Sequence, residues 1–509
     1  MSPSPAPAAR ARARLVWLLV LGILQLVVAF CWLTAIPPFE GPDELQHYDY
    51  ARYVAVNGRL PDRPPRSANA DGWYTGQWIQ EPLYYWTLGQ ILRTLGPDVA
   101  NAPLSMHENP HSAFQRNGYQ ASLLRHDTPL DPPLRRGLLT ARLVSTAAGL
   151  VLILSTFLAL RSVSTDTIAG FATLCLLLIP EFGVRFAVAA NDLVAAALAS
   201  VAAMLALGLD TTRHRWTRSL ATGAFAGLAV AVKLTAGIAI PIAFLALWFQ
   251  RRPPRAIWWR HVAACAAGVT LAAAWVFIRN WLLFGDPLAA PMKLIVLQQV
   301  AARQTVDAMN VSSLLTLTDY LFRSFWAAAG WTAVGPRAAW PWTVYGVIST
   351  ACALLMLIAL LPARRRTGQE EDADVQRRTR AAVWMSAVAV LLQTSGIVFA
   401  LSQYAGGRTA RYLLPVIVPL LVLVVRGAMR LADVGRLNGT LRMAAAGLVL
   451  AVLLVAWLET YSDIARAFGS GRNREAGWMG AWRGASIDAG QRPLSSAATP
   501  APLLALDAS

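Results

Sequence analysis

Acidic side chains are scarce in this chain: 28 Asp and Glu stand against 45 Lys and Arg in 509 residues, and all charged types together make up only 14%. Ordinary soluble domains carry about 25% charged residues. So low a share, beside 56% hydrophobic residues, excludes an ordinary soluble domain and a disordered chain. Cysteine is rarer still. Cys31, Cys175, Cys265 and Cys352 stand singly inside apolar runs, which excludes a disulfide framework or a thiolate metal site and leaves them as small core residues. Lysine occurs only as Lys233 and Lys293. No internal repeat is visible, which weighs against a transporter built from inverted halves.

What is present is a series of long apolar runs. Residues 15–36, "LVWLLVLGILQLVVAFCWLTAI", form a helix that matches a hydrocarbon core of about 30 Å. Arg10, Arg12 and Arg14 before it resemble the start of a signal peptide. However, the run exceeds a signal core of about 7 to 15 residues, and no small-residue cleavage site closes it. Further runs begin near Leu138, Ile168, Leu193, Leu220, Leu234, Val262, Val344, Ala382, Leu413 and Met443. The expected fold is an all-α polytopic membrane protein of about eleven spans.

The net charge of +17 is read as topology, not as nucleic-acid binding, because the arginines gather between the spans. With the N-terminus inside, "TTRHRWTR", "RRPPRAIWWRH", "ARRRTGQEEDADVQRRTR" and "MRLADVGRLNGTLR" all fall on the cytoplasmic side, as the positive-inside rule requires. The chain then divides into a basic N-terminus (1–14), the first span (15–36), a first outer loop (37–137), spans two to seven (138–280), a second outer loop (281–342), spans eight to eleven (343–462) and a loose outer tail (463–509). Both outer loops are expected to carry helices of their own. In the second loop Leu321, Phe322, Phe325, Trp326 and Ala329 recur at helical spacing, as in a helix lying at the interface.

The question the sequence poses is why so acid-poor a chain places Glu40, Asp43, Glu44 and Asp49 together in "PPFEGPDELQHYDYAR", directly after the first span. Pro42 and one acid suit the start of a helix, but four acids exceed that need. In a helix from this point Asp43, His47 and Tyr50 share one face, with Glu44 adjacent. Such a face can bind protons, a metal or a sugar hydroxyl. Lys233, deep in apolar sequence, must snorkel to an interface or face a polar cavity.

Here the chain resembles the GT-C glycosyltransferases, polytopic enzymes that use lipid-linked sugars. "EGPDELQHYDYARY" is similar to the Asp-Glu motif after their first span, and "QEPLYYW" at 80–86 to a Pro-Leu-Tyr stretch later in their first outer loop. "AAND" at 189–192, "IRNWLLFGDPL" at 278–288, "SFWAAAGW" at 324–331 and "GRTARYLLP" at 407–415 look like further landmarks, so the resemblance spans roughly residues 15–462. Glu81 departs from it, standing where related transferases often have a second Pro, and the cytoplasm-facing segments carry no nucleotide-sugar motif.

The resemblance implies a transferase that moves a hexosyl or pentosyl group, with inversion, from a polyprenyl-phosphate donor to a glycan, lipid or protein acceptor on the outer face of the inner membrane. It implies Asp43 as general base, with Glu44 binding a sugar hydroxyl, orienting the acceptor or contributing to a metal site. His47, Tyr50, Glu81, Tyr84, Tyr85, Asn191 and Asp192 become candidate substrate contacts, and Lys233, Arg279, Arg408 and Arg411 candidate ligands of the lipid phosphate. Structural alternatives stand beside these: His47 as a hydrogen-bonding core residue, Asn191 and Asp192 as a helix cap, Arg279 and Arg411 as interfacial anchors. No obligatory metal is expected, although Asp43, Glu44 and His47 could ligate a divalent cation. Membrane lipids are expected partners and nucleic acid is not. A transporter or lipid flippase and a non-catalytic envelope assembly factor are the competing functions.

Overall fold

In the computed structural model the described residues are 7–62, 76–104, 106–112, 121–126, 129–209, 216–249, 254–293, 295, 311–327, 329, 334–362, 373–403, 409–434 and 438–469. Among them there is no strand, only two isolated bridges. The helices are α1 (Pro7–Ala35), α2 (Glu44–Asn57), α3 (Leu83–Thr94), α4 (Pro97–Ala100), α5 (Pro132–Leu160), α6 (Asp166–Leu177), α7 (Pro180–Phe186) and α8 (Asn191–Leu207). They continue with α9 (Trp216–Val232), α10 (Ala239–Phe249), α11 (Arg255–Phe284), α12 (Val311–Trp326), α13 (Ala339–Leu360), α14 (Ala373–Gln403), α15 (Ile417–Val434) and α16 (Gly439–Gly469).

Every one of the apolar runs read from the sequence contains a helix, but the helices differ in how far they reach. Among the described residues seven helices are long and apolar enough to cross a membrane, and an eighth span arises if α6 and α7, bent by 76°, count together. The bend is local chemistry: Pro180 opens α7 without an N–H to donate, and Ile179 before it is extended, as a residue preceding proline prefers. α8 and α9 have 17 residues each, about 25 Å of helix. The chain therefore breaks at Ala187–Ala190 and at Lys233, and it is these breaks that turn polar side chains inward. The final helix runs through Gly469, past the expected boundary at 462, because Ile464 and Phe468 continue a buried face.

Two apolar clusters organise the molecule. One joins α1, α5 to α8, α13, α15 and α16 around Trp32, Phe182, Phe186, Tyr345 and Trp457. The other lies under the first outer loop, where Tyr48, Tyr50 and Val54 of α2 and Tyr85 and Leu88 of α3 pack on α5, α8 and α9. That loop is thus docked onto the bundle through its own helices. In the second loop α12 sets Trp326 flat against Tyr345, with centroids 4.7 Å apart.

α9 and α11 pack backbone to backbone, which small residues permit. A Cβ on Gly223 would lie 2.0 Å from the Cys265 carbonyl oxygen, and one on Gly268 would lie 2.2 Å from that of Leu220. Since the C-terminal end of α9 delivers Lys233, this contact sets where that cation sits. Gly223→Val is expected to destabilise the purified protein by about 1–3 kcal/mol, read as a lowered thermal midpoint, whereas Gly439→Ala, with open space around it, should leave the midpoint unchanged.

Candidate active site

After α1 the chain turns sharply. Phe39 and Asp43 both hold φ of 61°, left-handed values uncommon for residues with a Cβ, and Gly41 sits where a Cβ would meet Val188 Cγ1 at 2.1 Å. The turn is therefore pressed against the link between α7 and α8. Asp43 caps α2, and its Oδ2 accepts from Arg411 Nη1 at 2.8 Å, across 368 positions of sequence. Arg411 lies in the 3-10 helix Ala410–Val416 that opens into α15.

Asp192, in the first turn of α8, completes the cluster. Its Oδ1 accepts from Lys233 Nζ at 2.6 Å, and its Oδ2 lies 3.7 Å from Arg411 Nη1. Lys233 also donates to Asn191 Oδ1 at 3.3 Å, and both cations lie over the Tyr412 ring. Lys233 faces a polar site, and the acids and cations meet at one end of the bundle. Arg185 and Glu181, on α7, form a further buried pair beside it, at 2.7 Å from Nε to Oε1.

The four acids after the first span turn out to have four separate partners. Glu40, fully buried, accepts from the backbone N–H of Leu123 (2.8 Å) and Leu124 (3.0 Å) and pairs with His126 Nε2 at 2.8 Å. It thereby clips a later part of the loop over the turn, where Leu123, Leu124, Phe39, Asp43, Glu44 and Gln46 line a small pocket. Asp49 pairs with Arg52 at 3.2 Å. Asp43 takes Arg411.

Glu44 differs from its expected role. Its Oε1 accepts from Arg142 Nε and from Ala189 N, both at 2.8 Å, and its Oε2 from Arg142 Nη2 at 2.8 Å and Gly41 N at 3.4 Å. With four donors on two oxygens, no lone pair is left for a sugar or a metal, so Glu44 positions its neighbours. Among the described residues no group of three or more His, Cys, Asp or Glu is placed to hold a metal ion.

His47 sits one helical turn after Asp43 and pairs its Nδ1 with Tyr85 Oη at 2.8 Å. Asn191 Nδ2 donates to Gln80 Oε1 (2.7 Å) and Tyr85 Oη (3.2 Å), while Tyr50 stacks on Tyr85 with centroids 4.0 Å apart. His47, Tyr50, Tyr85 and Asn191 are thus one network, and Tyr84 meets His47 edge-on. Burial pushes the His47 imidazole down to about 3, against the upward pull of Asp43. Burial acts upward on Asp43, but the Arg411 guanidinium outweighs it and holds the carboxyl below its ordinary value. The site so presents an ionised aspartate beside a neutral histidine. Glu81 accepts from Leu234 N at 3.0 Å and pairs with Lys293, tying the first outer loop to the break after α9 and to the second loop.

Arg279, in the last part of α11, is not part of this cluster: its guanidinium donates to the Pro61 carbonyl and acts on Tyr50. Arg408 lies outside the described residues. Arg142, Gln80, His126, Lys293 and the Glu181–Arg185 pair were not singled out in the sequence. For Arg142 a signal existed, since an arginine inside an apolar span is costly unless paired.

Two outcomes are expected. Arg142→Met leaves Glu44 buried without its charge partner, so folding should weaken by about 3–5 kcal/mol, and Arg142→Met with Glu44→Gln should recover part of that loss in a denaturation cycle. Because folded His47 resists protonation down to about 3 while an unfolded histidine titrates near 6.5, the unfolded state binds more protons between those values. Stability is then lost as pH falls from about 6.5 toward about 3, by up to about 1.4 kcal/mol per pH unit. His47→Gln should flatten that slope in pH-dependent thermal unfolding.

No protein-family model and no curated protein matches the chain. Among solved structures, ArnT from Cupriavidus metallidurans bound to undecaprenyl phosphate is similar at 17% identity and TM-score 0.49, over 90% of this chain and 77% of that one. The archaeal oligosaccharyltransferase AglB from Archaeoglobus fulgidus, in complex with an inhibitory peptide and a dolichol-phosphate, is similar at 15% identity and TM-score 0.49, over 89% of this chain and 56% of that one.

Proposed function

We propose that the protein is a membrane glycosyltransferase of the GT-C kind, transferring one sugar from a polyprenyl-phosphate donor to an acceptor hydroxyl at the outer face of a cell's inner membrane. The observation that carries this reading is the buried cluster of Asp43, Arg411, Asp192 and Lys233, whose hydrogen-bonding capacity is not filled from within. Asp192 Oδ2, Arg411 Nε and His47 Nε2 are all buried without a hydrogen-bond partner. Leaving such groups unpaired costs about 1–3 kcal/mol each, an arrangement suited to a polyhydroxylated, anionic ligand.

The chemistry follows from the charges. Asp43, kept ionised, accepts the proton of the acceptor hydroxyl as its oxygen attacks the anomeric carbon. The bond from that carbon to the phosphate oxygen breaks, and the electron pair leaves on the phosphate. Arg411 and Lys233 supply positive charge where the leaving phosphate develops its own. That is the task a divalent ion performs elsewhere, and no obligatory metal is part of the proposal. A single displacement inverts the anomeric centre. Asn191, Gln80 and Tyr85 offer donors and acceptors to sugar hydroxyls, while Glu44 and Arg142 fix the turn that carries Asp43. The donor class is a polyprenyl phosphosugar carrying a hexose or pentose; the acceptor is a glycan, lipid or protein hydroxyl.

The charged groups also weigh against a transporter, which needs polar residues facing one another midway along several spans. Here they come from helix ends: Asp43 before α2, Asp192 at the start of α8, Lys233 at the end of α9, and Arg411 ahead of α15. Asp43→Asn keeps the shape and removes the base. Transfer of label from a polyprenyl phosphosugar is expected to fall by about 10²–10⁴-fold with thermal stability and lipid binding kept, and undiminished transfer would reject Asp43 as the base.

A further inference from the structure

α7 carries a buried ion pair that the proposed mechanism leaves unused. Glu181 and Arg185 are both nearly inaccessible, at 3% exposure each. Arg185 Nε and Nη2 both donate to Glu181 Oε1, at 2.7 and 2.5 Å, while Glu181 Oε2 and Arg185 Nη1 are buried with no hydrogen-bond partner. The charges acting on Glu181 from other elements are Arg411 of the 3-10 helix and Asp192 of α8. Of the helices packed on α7, α1 and α5 meet it with uncharged groups, Trp32 against Gly183, and Gly149 and Thr146 against Phe186, while on α6, α12 and α16 the acids pair locally, Asp166 with Arg161, Asp319 with Arg323 and Asp463 with Arg466.

The cluster is balanced. Asp43, Asp192 and Glu181 face Arg411, Lys233 and Arg185, three charges of each sign. A phosphodiester headgroup entering it brings one more negative charge, and an uncompensated charge in so buried a place is costly. Either the anion is bound weakly or one carboxylate takes up a proton. Asp43 has Arg411 directly and is the base; Asp192 lies between Lys233 and Arg411. Glu181 has only Arg185 in direct contact and one oxygen without any donor, so it loses least by becoming a carboxylic acid. Its proton sits on Oε2 while Oε1 keeps the bonds from Arg185.

We propose that Glu181 is the proton-uptake site of the cluster, taking one proton from solvent when a phosphodiester anion binds beside Arg411 and Lys233. This rests on the proposed phosphate subsite and adds to it a linkage between donor binding and pH. Uptake of a proton means that affinity falls as pH rises, by up to about tenfold per pH unit above the range in which free Glu181 titrates.

The test uses the full chain in lipid nanodiscs and farnesyl methyl phosphate, a diester with a single charge and no second proton of its own. Calorimetric titration at a pH above the range in which free Glu181 titrates, in two buffers of different ionisation enthalpy, counts the protons exchanged. The expected result is uptake approaching one proton per bound diester in the wild type, and none in Glu181→Gln, whose affinity should no longer vary with pH. Binding without proton exchange in the wild type, a measurement that needs no variant, would overturn the inference and leave the phosphate subsite standing. Equal uptake in Glu181→Gln would also overturn it. Absence of any binding that Arg411→Gln alters would overturn the subsite itself and the inference with it.

Discussion

Everything at the end of the bundle that carries Asp43 hangs on one buried ion pair, Glu44 with Arg142. Both side chains are fully inaccessible, where stripping water from two charges costs several kcal/mol per ion and is offset only by near-complete hydrogen bonding. The arrangement meets that demand. Arg142 gives Nε and Nη2 to Glu44 and its remaining donors to the carbonyls of Ile36 and Pro37 at the end of α1, and Glu44 also receives Ala189 N. One contact therefore joins the first span, the turn after it, α5 and the approach to α8.

That junction decides where the reactive charges stand. Asp43 and Asp192 lie directly beside groups held by it, and each finds its cation in a part of the chain far away in sequence. The left-handed backbone at Asp43 and Phe39 is strain of the kind that persists only where surrounding contacts over-determine it. It aims the Asp43 carboxylate at Arg411 and away from the apolar cluster beneath. A neutral histidine one turn later and an aromatic wall of Tyr50, Tyr84 and Tyr85 then give the carboxylate a dry, polar neighbourhood in which electrostatic effects are strong.

Much of the framework is legible in the sequence, because membrane spans announce themselves by composition. Each long apolar run became helix, and the Arg-rich segments fall between them. The number of full-length spans is not legible. Whether α8 and α9 cross the hydrocarbon alone depends on breaks at Ala187–Ala190 and Lys233, which local sequence marks only weakly. In the site, residue type and place mark Asp43 and Lys233, since charge beside apolar sequence must have a reason, while Asp192 and Arg411 enter through the resemblance. What they pair with is not legible, because pairing depends on how helices stack. Glu44 looked like chemistry and is architecture, for Arg142 consumes it. Arg279 looked like a phosphate ligand by its height on α11, but helix rotation, invisible in a single sequence, points it to Pro61. Glu181 and Arg185 escaped notice because an i, i+4 pair of opposite charge reads as an ordinary helix bridge.

We propose that this charge cluster splits a sugar from a polyprenyl phosphate and passes it to an acceptor hydroxyl. The measurement incubates the protein in vesicles with a membrane extract that holds acceptors as well as polyprenyl phosphosugars and follows each species by mass spectrometry. One lipid-linked sugar is expected to disappear with an equal gain of bare polyprenyl phosphate, and Arg411→Gln to abolish both changes. Lipid-linked sugars that all stay intact while moving from one leaflet to the other would contradict it and identify a transporter.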